Sequence, residues 1–149
     1  MAKTVNPVPD GHHTVTPFVV LRDAAKFIEF AKQALGATEL VVHSTPAGDV
    51  MHGEIRIGDS VIMIGGAQDK TQNAMLHLYV PDVDASYQRA MKAGAKSLRE
   101  PADQWYGDRS GGVEDAWGNT WWFATHKEDL SSEEFEKRGG ARFQVTAAK

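Results

Sequence analysis

The chain has 149 residues, 42% hydrophobic and 24% charged, proportions that suit one globular domain or two small modules sharing a core. A net charge of −4 without a basic stripe gives no reason to expect nucleic acid, and the absence of cysteine excludes disulfides, thiolate metal sites and cysteine nucleophiles. The opening MAKTVNPVPDGHH has no apolar stretch of signal-peptide type, and no run reaches transmembrane length; a cytoplasmic protein without a membrane partner is expected.

Residues 1–13 read as an N-terminal tail. Thr14–Asp23, TVTPFVVLRD, is rich in β-branched and aromatic residues and predicts a strand. Asp23 then stands as a helix N-cap, its carboxylate accepting the free N–H groups of the first turn. Phe27, Ile28, Phe30, Ala31, Ala34 and Leu35 recur at helical spacing, and Gly36 is placed to end the helix. Three strand-like runs follow: TELVVHS, DVMHGEIRI and SVIMIGG. Pro46 to Gly48 separates the first two, and Gly58-Asp59 makes a tight turn between the others. Residues 14–66 therefore predict one βαβββ module.

The polar, turn-rich segment 67–74 predicts a linker. MLHLYVPD, from Met75, begins the pattern again. Asp82 caps a helix with Val83, Tyr87, Ala90 and Met91 on one face, and Gly94 closes it. The runs AKSLRE, RSGGVED and NTWWFATH are strand-like, the last two joined across Gly118-Asn119. Asp23 precedes Asp82 by 59 residues, Gly36 precedes Gly94 by 58, and Gly58 precedes Gly118 by 60. One repeating offset implies an internal duplication, with residues 75–126 as the second module. In segment 127–149, Ser131 and Glu134 have capping-box spacing, so a short helix followed by a tail is predicted, with Phe135 its only obvious anchor. The fold class is thus α+β, two tandem βαβββ modules. A single helix covers one face of each sheet, and the other faces are expected to line a shared cleft.

Strand alternation sorts the candidate residues by face. Trp121 and Phe123 share a face expected to pack as core, while Trp122 points the other way. His77 and Tyr79 lie on the same face as Met75. A neutral imidazole at His77 could act as general base or hydrogen-bond donor to a ligand; the alternative is a histidine bonded within the sheet. His52, Glu54 and Arg56 give their strand one polar face, directed either into the cleft or to solvent or a second subunit. Register across Gly58-Asp59 decides between these, because a one-residue slip reverses the faces. His12 and His13 are neighbours that point opposite ways on an extended chain, and read as part of a solvated tail; His43 and His126 have no evident partner. Asp103–Gly112 is a glycine-rich loop carrying Trp105, Tyr106 and Arg109. It lacks the strand-to-helix setting of a phosphate loop, and suits either an aromatic or anionic small molecule or a hinge plugged by aromatics.

TVTPFVVLRDAAKFIEFAKQALGA, VMHGEIRIGDSVIMIGG and WYGDRSGGVEDAWGNTWWFATHKEDLS resemble the vicinal oxygen chelate superfamily, which includes glyoxalase I, extradiol dioxygenases and bleomycin-resistance proteins. Within it the chain is most similar to the PhnB-like branch, over roughly residues 14–131. The resemblance implies a homodimer and a cleft for a small organic molecule. Metal-dependent members hold a divalent ion with His and Glu from four strands, and the resemblance places those positions at Thr16, Ile62 or Met63, Met75 and Trp122. A thioether is a poor ligand for a hard cation and an indole or alkyl group is none, so neither metal nor cofactor is expected. Thr16, Phe18, Met75, His77, Tyr79 and Trp122, with Trp105, Tyr106 and Arg109 from the loop, are the ligand-binding candidates. The function expected is binding of a small organic molecule without chemistry. The alternative is a lyase or isomerase in which His77, or His52 with Glu54, moves protons.

Overall fold

A computed structural model describes residues 5–67 and 71–139; the start of the predicted tail, the middle of the predicted linker (68–70) and the C-terminal tail beyond 139 lie outside the described residues. The chain divides into two compact units, Met1–Ala74 with Ala116–Asn119, and Met75–Asp115 with Thr120–Lys149.

The first unit contains β1 (Phe18–Leu21), α1 (Ala24–Leu35), β2 (Thr38–Ser44), β3 (Val50–Ile57) and β4 (Ser60–Gly66). Its sheet has the order β1-β4-β3-β2, with β1 parallel to β4 and the other pairs antiparallel. The apolar spacing of α1 does what it predicts: Phe27, Ile28, Phe30, Ala31, Ala34 and Leu35 are all buried. They pack with Val19, Leu21, Ile55 and Ile64, each inaccessible to solvent. Burying a side chain such as Phe27 this completely stabilises the fold by about 1.5–3 kcal/mol. Gly53 lets sheet and helix approach, since a Cβ there would lie 3.2 Å from Ile28 Cδ1. The helix ends as its glycine predicts, with Gly36 left-handed at φ 64° and the Ala37 N–H donating to Ala31 O at 3.1 Å.

Three expectations for this unit need correction. The first strand begins at Phe18, so Thr14 to Pro17 precede the sheet, and the Thr16 hydroxyl instead donates to His13 O at 3.2 Å. Asp23 caps nothing with its side chain. An N-cap carboxylate reaches the first-turn amides from an extended backbone, whereas Asp23 is left-handed (φ 50°, ψ 46°) and contributes only its carbonyl, which accepts the Phe27 N–H at 3.1 Å. The end of the predicted linker is also tied down. Gln72 and Val20 exchange backbone hydrogen bonds of 2.9 and 3.4 Å, and the Ala74 N–H donates to Asn119 Oδ1 at 2.9 Å. In the turn Ala116–Asn119, Trp117 meets Phe27 edge-on at 5.3 Å and donates its indole N–H to Arg22 O at 2.9 Å.

The second unit repeats the plan with β5 (Met75–Tyr79), α2 (Val83–Lys92), β6 (Lys96–Asp103), β7 (Asp108–Glu114) and β8 (Thr120–His126), followed by α3 (Ser132–Gly139). The sheet order is β5-β8-β7-β6, again with a parallel first pair, so the duplication holds strand for strand. Here the aspartate does cap: Asp82 has an extended backbone and accepts the Ala85 N–H at 3.1 Å. Trp121 and Phe123 are core, and the Trp121 indole donates to Asp115 Oδ2 at 3.0 Å. β6 runs to Asp103, with irregularities between Ser97 and Arg99 and between Arg99 and Ala102. Ser131 caps α3 by accepting the Glu134 N–H at 3.1 Å. No helix among the described residues is long and apolar enough to cross a membrane.

Candidate functional site

Each sheet has one face on its helix and one face turned away from it. In the first unit, the Gly53 contact with Ile28 and the burial of Ile55 put that side of β3 against α1. His52, Glu54 and Arg56 therefore lie on the open face, as alternation across the Gly58-Asp59 turn requires. Met63, Phe18 and His43 join them, because Glu54 is in register with Met63, Met63 with Phe18, and His52 with His43. Glu54 is the centre of this cluster. One carboxylate oxygen is 3.4 Å from His52 Nε2, and the other is 3.2 Å from Nε2 of His12. The His52 ring also stands 6.1 Å from Phe18 and 5.9 Å from His43.

The expectation of a solvated N-terminal tail is thus corrected for His12. Its side chain is only 14% exposed, against Glu54 at 15%, and Gly11 lies beside the Arg56 guanidinium. The segment before β1 lies on the open face of the first sheet. Thr16 does not; with His13, Pro17, Asp59 and Ser60 it lines a separate depression of about 350 Å³.

The open face of the second sheet carries more of the predicted residues. Met75, His77 and Tyr79 alternate along β5, and His77 is in register with Trp122 on β8. Trp122 in turn pairs with Gly112 on β7, and Gly112 with Arg99 on β6. One row, His77–Trp122–Gly112–Arg99, therefore crosses all four strands. The indole lies flat on the backbone of Gly112, where a Cβ would meet its ring at 2.5 Å. Over the ring stands the Arg99 guanidinium, 5.0 Å from the centroid, with Nη2 donating to Ser110 Oγ at 2.6 Å. Arg99 is the residue that sequence reasoning missed; its only signal was a basic residue opposite a glycine, visible once the register of β6 is known. The His77 ring meets Tyr79 edge-on at 4.9 Å and makes no hydrogen bond among the described residues, so it is not tied down within the sheet. Tyr79 and Met75 are 68% and 75% exposed.

Beside this row runs a chain of polar contacts. The Tyr79 hydroxyl donates to Asp108 Oδ2 at 3.4 Å, and the His126 ring bridges Asp108 and Asp129 at 2.7 Å on either side. The bonds to Asp108 and Asp129 hold the His126 imidazole above its usual pKa, favouring the doubly protonated ring. The Asp108 charge, with burial and the hydrogen bond, likewise pushes the Tyr79 phenol up, so it acts as a donor rather than a base.

The loop candidates separate. Trp105 packs against Phe135 of α3 at 4.9 Å and meets Tyr106 edge-on at 5.5 Å. Arg109 shares the helix-side face of β7 with Val113, away from Trp122. Two hydrogen bonds from its guanidinium go to Asp84 on α2, at 2.8 and 2.9 Å, and a third to Asp103 at 3.3 Å. These bonds raise its pKa further and hold the Asp84 carboxyl below its usual range. Asp108, next to Arg109 in the chain, pairs with His126 and not with that guanidinium.

Of the positions that the resemblance implies for metal ligands, Thr16, Ile62 or Met63, Met75 and Trp122, Ile62 is buried and Met63 faces outward with Phe18. A hydroxyl bonded to His13, two thioethers and an indole pressed on Gly112 do not fit a divalent ion. Among the described residues, no group of three or more His, Cys, Asp or Glu is arranged to hold one.

The model of the Glyoxalase/Bleomycin resistance protein/Dioxygenase superfamily matches residues 12–123. An uncharacterized protein of Mycobacterium bovis is 32% identical over 135 residues, covering 82% of this chain and 89% of its own. Among solved structures, TioX from Micromonospora sp. ML1 superposes with a TM-score of 0.64 at 21% identity, over 75% of this chain and 98% of its own. A PhnB protein from Bacillus cereus does so with a TM-score of 0.61 at 12% identity, over 76% and 99%.

Proposed function

Since the chain belongs to the Glyoxalase/Bleomycin resistance protein/Dioxygenase superfamily, we propose that it is a PhnB-like binding protein, which takes a small organic molecule on the open face of its second sheet without metal chemistry. One observation carries this reading: Trp122 is fixed flat on Gly112 beside a free His77 and the largely exposed Tyr79 and Met75. Exposed aromatic and thioether side chains contiguous on one sheet face are the mark of a contact surface. A flat planar molecule gains dispersion and stacking energy there without the cost of ordering flexible side chains.

The test uses a neutral aromatic probe, 2-naphthol, followed by quenching of indole fluorescence. Saturable binding is expected, weakened about tenfold in Tyr79→Ser, as loss of one stacking contact predicts. Equal affinity in the variant, or no saturation in the native protein, would sink the reading. The open β-edges in both sheets also support a homodimer, which light scattering on the eluting protein would measure.

A lyase- or isomerase-type activity has one specific observation behind it, the unbonded imidazole of His77 on this face. In that reading His77→Gln removes turnover of a bound molecule but leaves its affinity. In the binding reading the same change alters affinity alone.

A further inference from the structure

Arg99 differs from the other arginines held in place by several contacts. Arg109 and Arg138 each engage two carboxylates, so their charges are neutralised within the fold. Arg99 is exposed and held as firmly, by the Trp122 ring beneath it and by Ser110 Oγ at 2.6 Å, yet no carboxylate pairs with it among the described residues. On this face Asp108 is bonded to His126 and Tyr79, and Glu114 stands opposite Lys96 in the ladder. A guanidinium stacked on an indole turns its N–H edge outward, and Ser110 takes one hydrogen of the fork. The remaining donors form a preorganised grip for an oxyanion, already immobilised and without a competing counter-charge.

We propose that Arg99 is the anion-recognition residue of this face, and that its ligand is a planar aromatic carboxylate: the acid group on the Arg99 guanidinium, the ring along the row toward His77. The proposal rests on the reading that the second sheet binds a small molecule, and adds the class of that molecule. The two bulges around Arg99 belong to the same device, since they set this one residue opposite Gly112.

Two probes of equal shape separate the ideas, 2-naphthoate and its neutral amide 2-naphthamide, titrated while the indole N–H signal of Trp122 is followed by NMR. Naphthoate is expected to bind at least about tenfold more tightly, the scale of a charge-assisted pair of hydrogen bonds. Arg99→Gln should bring the two probes to parity, and Arg99→Lys should restore only part of the preference, having charge but no fork. If both probes bind the native protein equally, the anion grip is wrong while the small-molecule reading stands. If the acid is preferred as strongly in Arg99→Gln as in the native protein, another cation reads the charge and the assignment to Arg99 falls. If neither probe moves the Trp122 signal, both the grip and the underlying reading are overturned.

Discussion

Asp108 shows how much one side chain decides on the second sheet. Largely buried, it accepts from Tyr79 and from the imidazole of His126, which reaches the exposed Asp129 with its other nitrogen. Because these contacts raise the folded-state pKa of His126, its protonated form is the one that stabilises the fold. That contribution is complete below the ordinary imidazole value of about 6.5 and fades as pH rises through the elevated folded value. In Asp108→Asn, the His126 ring should titrate closer to the ordinary imidazole value, and the Tyr79 phenol should fall towards its own. An NMR titration of the His126 ring checks this; an unchanged midpoint would mean that Asp129 alone sets it. Gly112 is a second single-residue lever, since any Cβ there runs into the Trp122 ring. Gly112→Ala should lift the indole from the sheet, shift its emission to the red and disturb the Arg99 stack, all visible in the fluorescence spectrum.

The two helices permit a comparison within one chain. Asp82 and Asp23 occupy equivalent places in the repeat, but only Asp82 caps with its carboxylate. Asp82→Ala should therefore cost about 1 kcal/mol, the usual worth of an N-cap. Asp23→Gly should stabilise by up to about 1 kcal/mol, because glycine adopts φ 50° without the Cβ penalty. Urea midpoints of the two variants should move in opposite directions, and a loss in both would show that the Asp23 carboxylate contributes something the geometry does not reveal. The contrast also marks what a sequence can express. Helix α1 and the split between Trp121 and Trp122 were legible because each follows from a period counted along neighbouring residues, whereas the direction of the His52 and Glu54 face stayed open until the register of β3 with β4 was known. Asp23 was misread because two chemically identical signals sit on different backbones. Arg99 escaped because two bulges in β6 break the alternation that would have placed it. The bond between His12 and Glu54 joins residues 42 apart, beyond the reach of any local pattern.

At the scale of the whole molecule, stability responds to anything that binds the folded state alone. The residues at the four family metal positions offer no suitable donor set, so adding Mn²⁺ or Ni²⁺ to chelator-treated protein should leave its melting temperature unchanged. A rise of several degrees would restore a metal-dependent reading of the fold. The duplication itself has been put to unequal use. The first sheet has its outward side met by the segment before β1, with His12 seated on Glu54 and Gly11 beside Arg56. Within one duplicated plan, the acidic centre of the first face is thus satisfied by the chain itself through His12, while Phe18 beside it stays half exposed.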